Sequence, residues 1–484
     1  MLKELIEERL RKLKKIEKAG INPYPAHVKR TFSISRACED FTKLSRIRKE
    51  VSLAGRLLSL RDQGNIAFLD VADESGKIQV VLRKDNIGDF EFWKSVLDTG
   101  DFILAKGLLF KTKKGEKSLD ANVIQVLAKS LRPLPVTWYG LEETEIRLRR
   151  RYLDLLINPE VKEIFRKKAV FWESFREYLK REGFLEVEMP VLENIPGGAD
   201  AEPFKTHHNA LDADFYLRIS LELPLKKLLV GGFEKVFEIG RIFRNEGIDK
   251  EHLQDYTQLE FYWAYHDYND LMDLVEKMYK AVIKNVFGEL ATVHEGKKIN
   301  WGKKWPKIDF VEVFKKENKI NPLTANRDEL FKKAASLGLE LEKNLGKGRL
   351  IDLIFKKTVR PKLVQPCFLL DPPVEVEPLA KRSRKDPRRV ERLQIMAGGT
   401  ELGKGFSELN DSRDQRMRLE EQMRLREAGD KEAQRLDEEF LVALEYGMPP
   451  AAGFGVSERL LAVLMDKPVR ETVIFPLMRP KNTN

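Results

Sequence analysis

The chain has 484 residues, of which 42% are hydrophobic and 34% charged, with a formal net charge of +10. At roughly 100–200 residues per domain this length spans two to four domains, and the composition is that of an ordinary water-soluble chain rather than a fibrous or disordered one. The two cysteines, Cys38 and Cys367, are too few and too far apart for a disulfide framework or a zinc cluster. No stretch of 18 apolar residues is present, so no membrane span is expected. The charged opening Met1–Leu10 lacks a signal peptide's apolar run, and a cytoplasmic protein is expected. The basic surplus favours polyanionic partners such as nucleic acid.

In chain order, Leu2, Leu5, Ile6, Leu10, Leu13 and Ile16 fall at helical spacing, with Gly20, Pro23 and Pro25 as stops. Residues 1–50 read as a basic helical extension whose charged face meets either a nucleic acid or solvent. Residues 51–130 carry the short β-rich runs Val51–Leu60, Ile66–Val71, Ile78–Leu82, Phe102–Phe110 and Val123–Leu127, separated by glycine-bearing turns. Five such strands suit a small closed barrel of the OB type, or a generic β-sandwich. Residues 131–150 read as a linker, opened by Leu131–Pro135 and closed by the basic stretch Glu145–Tyr152. Residues 151–484 then mix a helix (Phe165–Glu182), strands (Phe184–Pro190, Tyr216–Ile219, Lys235–Arg244, Thr257–Ala264), a polar helical insertion near 311–365 and one long helix over Asp411–Tyr446. Strands and helices without regular βαβ alternation predict an α+β fold with an antiparallel sheet.

Four clusters carry candidate chemistry. In Phe237–Glu246, followed by His252 and Tyr256, arginines at a strand end can grip phosphate or carboxylate, and an aromatic beyond can stack on a base. In Thr257–Trp263, period two puts Glu260 and Tyr262 on one face, a pairing suited to a cation or to an exposed polar face. Gly399–Asp411 brings Glu401 and Glu408 beside glycines that let a ligand approach the backbone. Gly453–Arg459 reads as a glycine-rich turn feeding the helix Leu460–Met465, a possible anion site.

In that order these clusters resemble the signature motifs of class II aminoacyl-tRNA synthetases, the first motif being Gly183–Pro190 with its preceding helix. Ile195-Pro-Gly-Gly-Ala199, Thr206–Leu211, Val230-Gly-Gly-Phe233 and Gly405-Phe-Ser-Glu-Leu-Asn-Asp411 are similar to the lysyl-tRNA synthetase family, and the likeness runs from about residue 50 to the C-terminus. The resemblance implies an N-terminal OB-fold barrel that binds the anticodon of tRNA(Lys), followed by a class II antiparallel-sheet catalytic domain with flanking helices, in a homodimer. It implies ATP and L-lysine as substrates, with Mg²⁺. Arg244, Glu246, His252, Tyr256, Glu401 and Arg459 would meet ATP, with Arg244 and Arg459 catalytic and Glu401 carrying the metal. Gly198, Glu222, Arg244, Glu260, Tyr262, Lys404, Phe406 and Glu408 would meet lysine, and Arg61, Phe68 and Gln79 the anticodon.

The chain departs from that family's pattern at three places. Gln394 stands where a metal-binding Glu is usual, and Lys404 stands where an Asn is usual. Lys404 is open to pairing with the lysine carboxylate, pairing with a phosphate, or repelling the substrate's α-ammonium. The third motif reads Val456-Ser-Glu-Arg459 in place of Gly-Ile-Asp-Arg. Three alternatives stand beside a lysine enzyme: an aspartyl- or asparaginyl-type synthetase, against which Glu260 with Glu408 argues; a lysyl-transferring protein-modifying enzyme, against which the barrel argues; and a non-catalytic tRNA-binding paralogue.

Overall fold

The computed structural model describes residues 2–134, 143–247, 252–342, 345–430 and 433–480. The expected linker therefore falls partly outside the described residues, at 135–142, as does 248–251 in the loop before His252. The chain divides into two compact units, Met1–Glu143 and Thr144–Asn484.

In the first unit, β1 (Glu50–Asp62), β2 (Ile66–Ala72), β3 (Lys77–Arg83), β4 (Phe102–Lys111) and β5 (Lys117–Ala128) close into a barrel of order β1-β2-β3-β5-β4. Strict alternation drives the closure: in β2, Ala67, Leu69 and Val71 are buried while Ile66, Phe68, Asp70 and Ala72 are half-buried on the other face. The N-terminal helix Leu2–Lys18 belongs to the same unit. It holds the barrel through Ile16, fully buried in the barrel's core, and through Arg9, which donates to the carbonyls of Thr99 and Ser130 at 3.0 and 2.8 Å. Leu2, Leu5 and Leu10 of its apolar stripe remain exposed.

In the second unit the strands are β6 (Leu185–Glu186), β7 (Leu192–Glu193), β8 (Lys205–His208), β9 (Ala213–Leu217), β10 (Lys235–Phe243), β11 (Asp255–Ala264), β12 (Ala291–His294), β13 (Lys297–Asn300), β14 (Lys307–Asp309), β15 (Cys367–Leu370), β16 (Arg392–Ala397), β17 (Thr400–Ser407) and β18 (Ala451–Ser457). Eight of them form one sheet, β14-β15-β16-β17-β18-β11-β10-β6, antiparallel except at its two edges. The helices Pro159–Arg181 and Tyr268–Phe287 cover one face, where Phe171, Phe175, Met278 and Tyr279 meet Phe261 and Phe454. The other face carries two separate cores. One joins the helix Glu222–Val230 to Phe406 and Phe440; the other joins the helices Phe310–Asn318, Arg327–Ser336 and Lys347–Thr358 to Leu369 and Met396.

Four local expectations change. The single helix expected over Asp411–Tyr446 is two, Ser412–Glu427 and Glu438–Glu445. Gly429 takes a left-handed φ of 113°, which ends the first, and the Asp437 carboxylate accepts from Phe440 N to start the second. Phe184–Pro190 pairs with β10 only at Leu185–Glu186, its last ladder bond running from Val187 N to the Phe237 carbonyl at 2.9 Å; beyond it the N–H of Met189 donates instead to the Glu238 carboxylate at 2.9 Å. Tyr216 and Leu217 end β9 in a separate three-stranded sheet, β7-β9-β8. Gly453 and Gly455 lie inside β18 rather than in a turn, and the helix after them is the six-residue Arg459–Leu464.

Candidate active site

The uncovered part of the large sheet carries a cavity of about 320 Å³. Its floor is one cross-strand row, Gln394–Lys404–Gly455–Glu260, contributed by β16, β17, β18 and β11 in turn, and Glu238 of β10 continues the row beyond the cavity. A second row, Arg392–Phe406–Gly453–Tyr262, runs beside it. Of the β18 glycines, Gly453 has no room for a side chain. A Cβ on Gly453 would lie 2.3 Å from Glu408 Oε1 and 2.4 Å from the Tyr262 ring.

Ten residues singled out from the sequence line this cavity: Gly198, Glu222, Arg244, Tyr256, Glu260, Tyr262, Glu401, Lys404, Phe406 and Arg459. Glu246, His252 and Glu408 do not line it. Glu246 is half-buried on the loop after Arg244. Glu408 is buried, with its Oε1 next to Gly453, which does line the cavity.

At one end three carboxylates converge around Tyr262. Glu260 is fully engaged: its Oε1 accepts from Ser220 Oγ at 2.9 Å, Leu221 N at 3.2 Å and Gln258 Nε2 at 2.5 Å, and its Oε2 accepts from the Tyr262 hydroxyl at 3.0 Å. Glu222 opens the helix Glu222–Val230, and Gly198, held at a φ of 81°, brings its backbone against the Cβ atoms of Glu222 and Ser220. Lys226, one helical turn after Glu222, is fully buried; its Nζ lies 2.5 Å from both Glu222 Oε1 and Glu408 Oε2, and 5.3 Å from the centre of the Phe406 ring. The Lys226 ammonium thus pairs with Glu408 through Oε2, and among the described residues Oε1 has no hydrogen-bond donor. Burial pushes the Glu222 carboxyl up to about 7, with Lys226 acting against that rise. Burial likewise raises Glu408 above the usual carboxylate range and holds the Tyr262 phenol protonated.

At the other end the groups are cationic. Arg244 follows β10; its Nε donates to the carbonyl of Ile219 at 3.2 Å and its guanidinium lies 5.7 Å from the centre of the Tyr256 ring. Arg459 begins the helix after β18. Lys404 Nζ lies 2.8 Å from Glu377 Oε2, and Arg392 reaches the same carboxylate oxygen at 3.5 Å. The Gln394 side-chain amide donates to the Glu401 carboxylate. Among the described residues no group of three or more His, Cys, Asp or Glu side chains could hold a metal ion.

Several participants carried no local sequence signal. Lys226 sits four residues after Glu222, which reads on paper as an exposed helical pair. Glu377 reaches Lys404 from a turn beside the short helix Val374–Val376. Ser220 and Gln258 are ordinary polar residues until their hydrogen bonds to Glu260 are seen.

On the barrel, Arg61 and Phe68 are cross-strand neighbours, the guanidinium 6.0 Å from the ring centre. Gln79, opposite Asp70 on the same face, is buried: its Nε2 donates to Glu116 at 3.3 Å and its Oε1 accepts from Ser118 at 3.3 Å. Glu116, from the hairpin between β4 and β5, is a neighbour the sequence did not suggest.

Comparison with known proteins bears on both units. Residues 143–479 match the family model described as tRNA synthetases class II (D, K and N), and residues 51–127 match that of the OB-fold nucleic acid binding domain. The chain is similar to lysine–tRNA ligases from several bacteria. It is 46% identical to that of Moorella thermoacetica, over 99% of this chain and 98% of the relative. It is 43% identical to that of Carboxydothermus hydrogenoformans, over 99% of each, and 44% identical to that of Roseiflexus castenholzii, over 99% of each.

Proposed function

Because the chain belongs to the class II tRNA synthetases of the D, K and N group, we infer from its full-length lysine–tRNA ligase relatives that it is a lysine–tRNA ligase. It joins L-lysine to ATP as lysyl-adenylate, releasing diphosphate, and transfers the lysyl group to the 3′ end of tRNA(Lys).

The observation that carries lysine is the charge at the acidic end. Glu222, Glu260 and Glu408 are three carboxylates, and Lys226 is the one ammonium held among them. Fully ionised, the group is left at −2, which the two ammonium groups of L-lysine neutralise. A leucine or methionine would leave buried carboxylates without a counterion, at a cost of several kcal/mol. In this reading Glu222 takes the α-ammonium. Glu260, Tyr262 and the unpartnered Glu408 Oε1 surround the ε-ammonium, and Phe406 and Gly198 shape the wall.

Arg244 then holds the substrate carboxylate against the α-phosphate. The nucleophile is already an anion, so no general base is needed; positioning and charge neutralisation do the work. Tyr256 stacks on adenine, Arg459 neutralises the triphosphate, and Glu246 and His252 reach ATP from their loop. When Mg²⁺ is bound it supplies neutralisation of the phosphate oxygens. Glu401, a single carboxylate facing the cavity, fits a metal that keeps most of its ligands from nucleotide and water.

We assign residues 51–130 to anticodon binding, with Arg61, Phe68 and Gln79 on the reading face. Residues 1–50 are its N-terminal extension, 131–150 the linker, 151–484 the catalytic domain and 311–365 its helical insertion. A homodimer is supported by the apolar residues left exposed near the first motif, Leu185, Val191, Leu192 and Ile195. No helix of the described residues is long and apolar enough to cross a membrane, which accords with a cytoplasmic enzyme. ATP–pyrophosphate exchange with each of the twenty amino acids tests the assignment: exchange is expected with lysine alone, and exchange driven by another amino acid but not by lysine would overturn it.

A further inference from the structure

The nucleotide end of the cavity is built differently from the family pattern, and the two departures lie against each other. Gln394 of β16 and Lys404 of β17 are direct cross-strand partners. The ladder slips between Ile395 and Met396, where Leu402 is left without a partner, and this brings Glu401 onto the face that carries Lys404. Gln394, Glu401, Lys404, Glu377 and Arg392 all line the one cavity.

The charges of this cluster can be counted. Glu377 and Glu401 contribute −2, and Lys404 and Arg392 contribute +2, so the cluster is neutral with no ion added. With Glu at 394 and Asn at 404, the pattern usual in lysyl-tRNA synthetases, the same cluster would carry three carboxylates and one arginine, a net −2. The difference of two charges is that of one divalent cation. The donor set changes in the same sense. Glu401 has beside it an amide N–H instead of a second carboxylate, so the oxygens that would share an ion are no longer paired. Lys404 is held by Glu377 and needs no ion to keep its place.

We propose that the Lys404 ammonium stands in for one divalent cation, so that this chain binds ATP with a single metal ion, the one that arrives on the nucleotide. A second ion shared between residues 394 and 401 is not bound. Lys404 would supply a fixed positive charge to the phosphates, as a positioned point charge rather than a Lewis acid. This rests on the reading that ATP occupies the cavity.

The test counts metal directly. Mn²⁺ bound per subunit is measured by electron paramagnetic resonance on the full-length chain with the ATP analogue bearing a methylene between its α- and β-phosphorus atoms. The unmodified chain is expected to bind one Mn²⁺, and the Gln394→Glu, Lys404→Asn double variant more than one. Equal counts in the two would overturn the proposal. Calorimetry of the same analogue in EDTA gives a second measure that needs only a single substitution. Lys404→Met should weaken metal-free binding about tenfold to hundredfold, the loss of one charge-assisted contact; unchanged affinity would also overturn it. An analogue that fails to bind even with saturating Mg²⁺ would instead sink the assignment of the cavity to ATP.

Discussion

The two ends of the cavity handle charge in opposite ways. At the lysine end the carboxylates are provided with partners before any substrate arrives: Glu260 accepts four hydrogen bonds, and Lys226 sits between Glu222 and Glu408. At the nucleotide end the Arg244 Nε donates to a carbonyl, Lys404 and Arg392 share the Glu377 carboxylate, and Arg244 and Arg459 bring further cations to the cavity. A buried anion that must wait for a cationic substrate is costly, so the fold carries an internal cation beside it. Arg244, Lys404 and Arg459 are only half-buried, so water solvates them until a polyanion arrives.

The largest effect expected from this contrast is on stability. Lys226→Met strips the ammonium from two buried carboxylates, and breaking a buried pair in this way costs about 3–5 kcal/mol. Urea unfolding of the variant reads it; an unchanged midpoint would mean that Lys226 is not the counterion of the acidic end. Next comes selectivity between the ends. Glu260→Gln should weaken lysine binding about tenfold to hundredfold, the range for a hydrogen bond to a charged group, while ATP affinity stays near that of the parent chain. Equal losses for both ligands, measured by calorimetry, would erase the division into two ends.

The barrel, in the other unit, offers a control. Phe68→Ala removes a stacking surface worth about 1–3 kcal/mol per base, so tRNA charging should fall while pyrophosphate exchange is unchanged. A parallel fall in exchange would contradict the anticodon role.

The smallest effect is a pH dependence. The Glu222 carboxyl is raised to about 7 by burial, so it is largely protonated below that pH in the empty cavity and must ionise to hold an α-ammonium. Lysine affinity should therefore fall about tenfold for each pH unit below about 7, and lose this part of the slope in Glu222→Gln. A flat profile in the unsubstituted chain would show that Glu222 is ionised without its ligand.

Much of the fold was legible because it is periodic. The β-rich run Ile66–Val71 between glycine-bearing turns marked a barrel strand, and the spacing of Glu260 and Tyr262 put them on one sheet face. The misreadings fell where local pattern is weak or where a tertiary partner overrode it. Gly429 divided an expected helix, and the Glu238 side chain took the Met189 N–H out of the ladder. Gly453 and Gly455 read as a turn but lie in a strand, where Gly453 leaves room for Glu408 and the Tyr262 ring.

What the sequence determined by itself was the order of the elements and the kinds of side chain available to the cavity, because both follow from short-range spacing and residue chemistry. Only the tertiary structure decided which charges meet. Lys226 joins Glu408 across 182 positions' worth of chain, and Lys404 joins Glu377, as a result of sheet register and helix docking. Coulombic pairing depends on distance and burial, and neither is a property of residues taken in order along a chain.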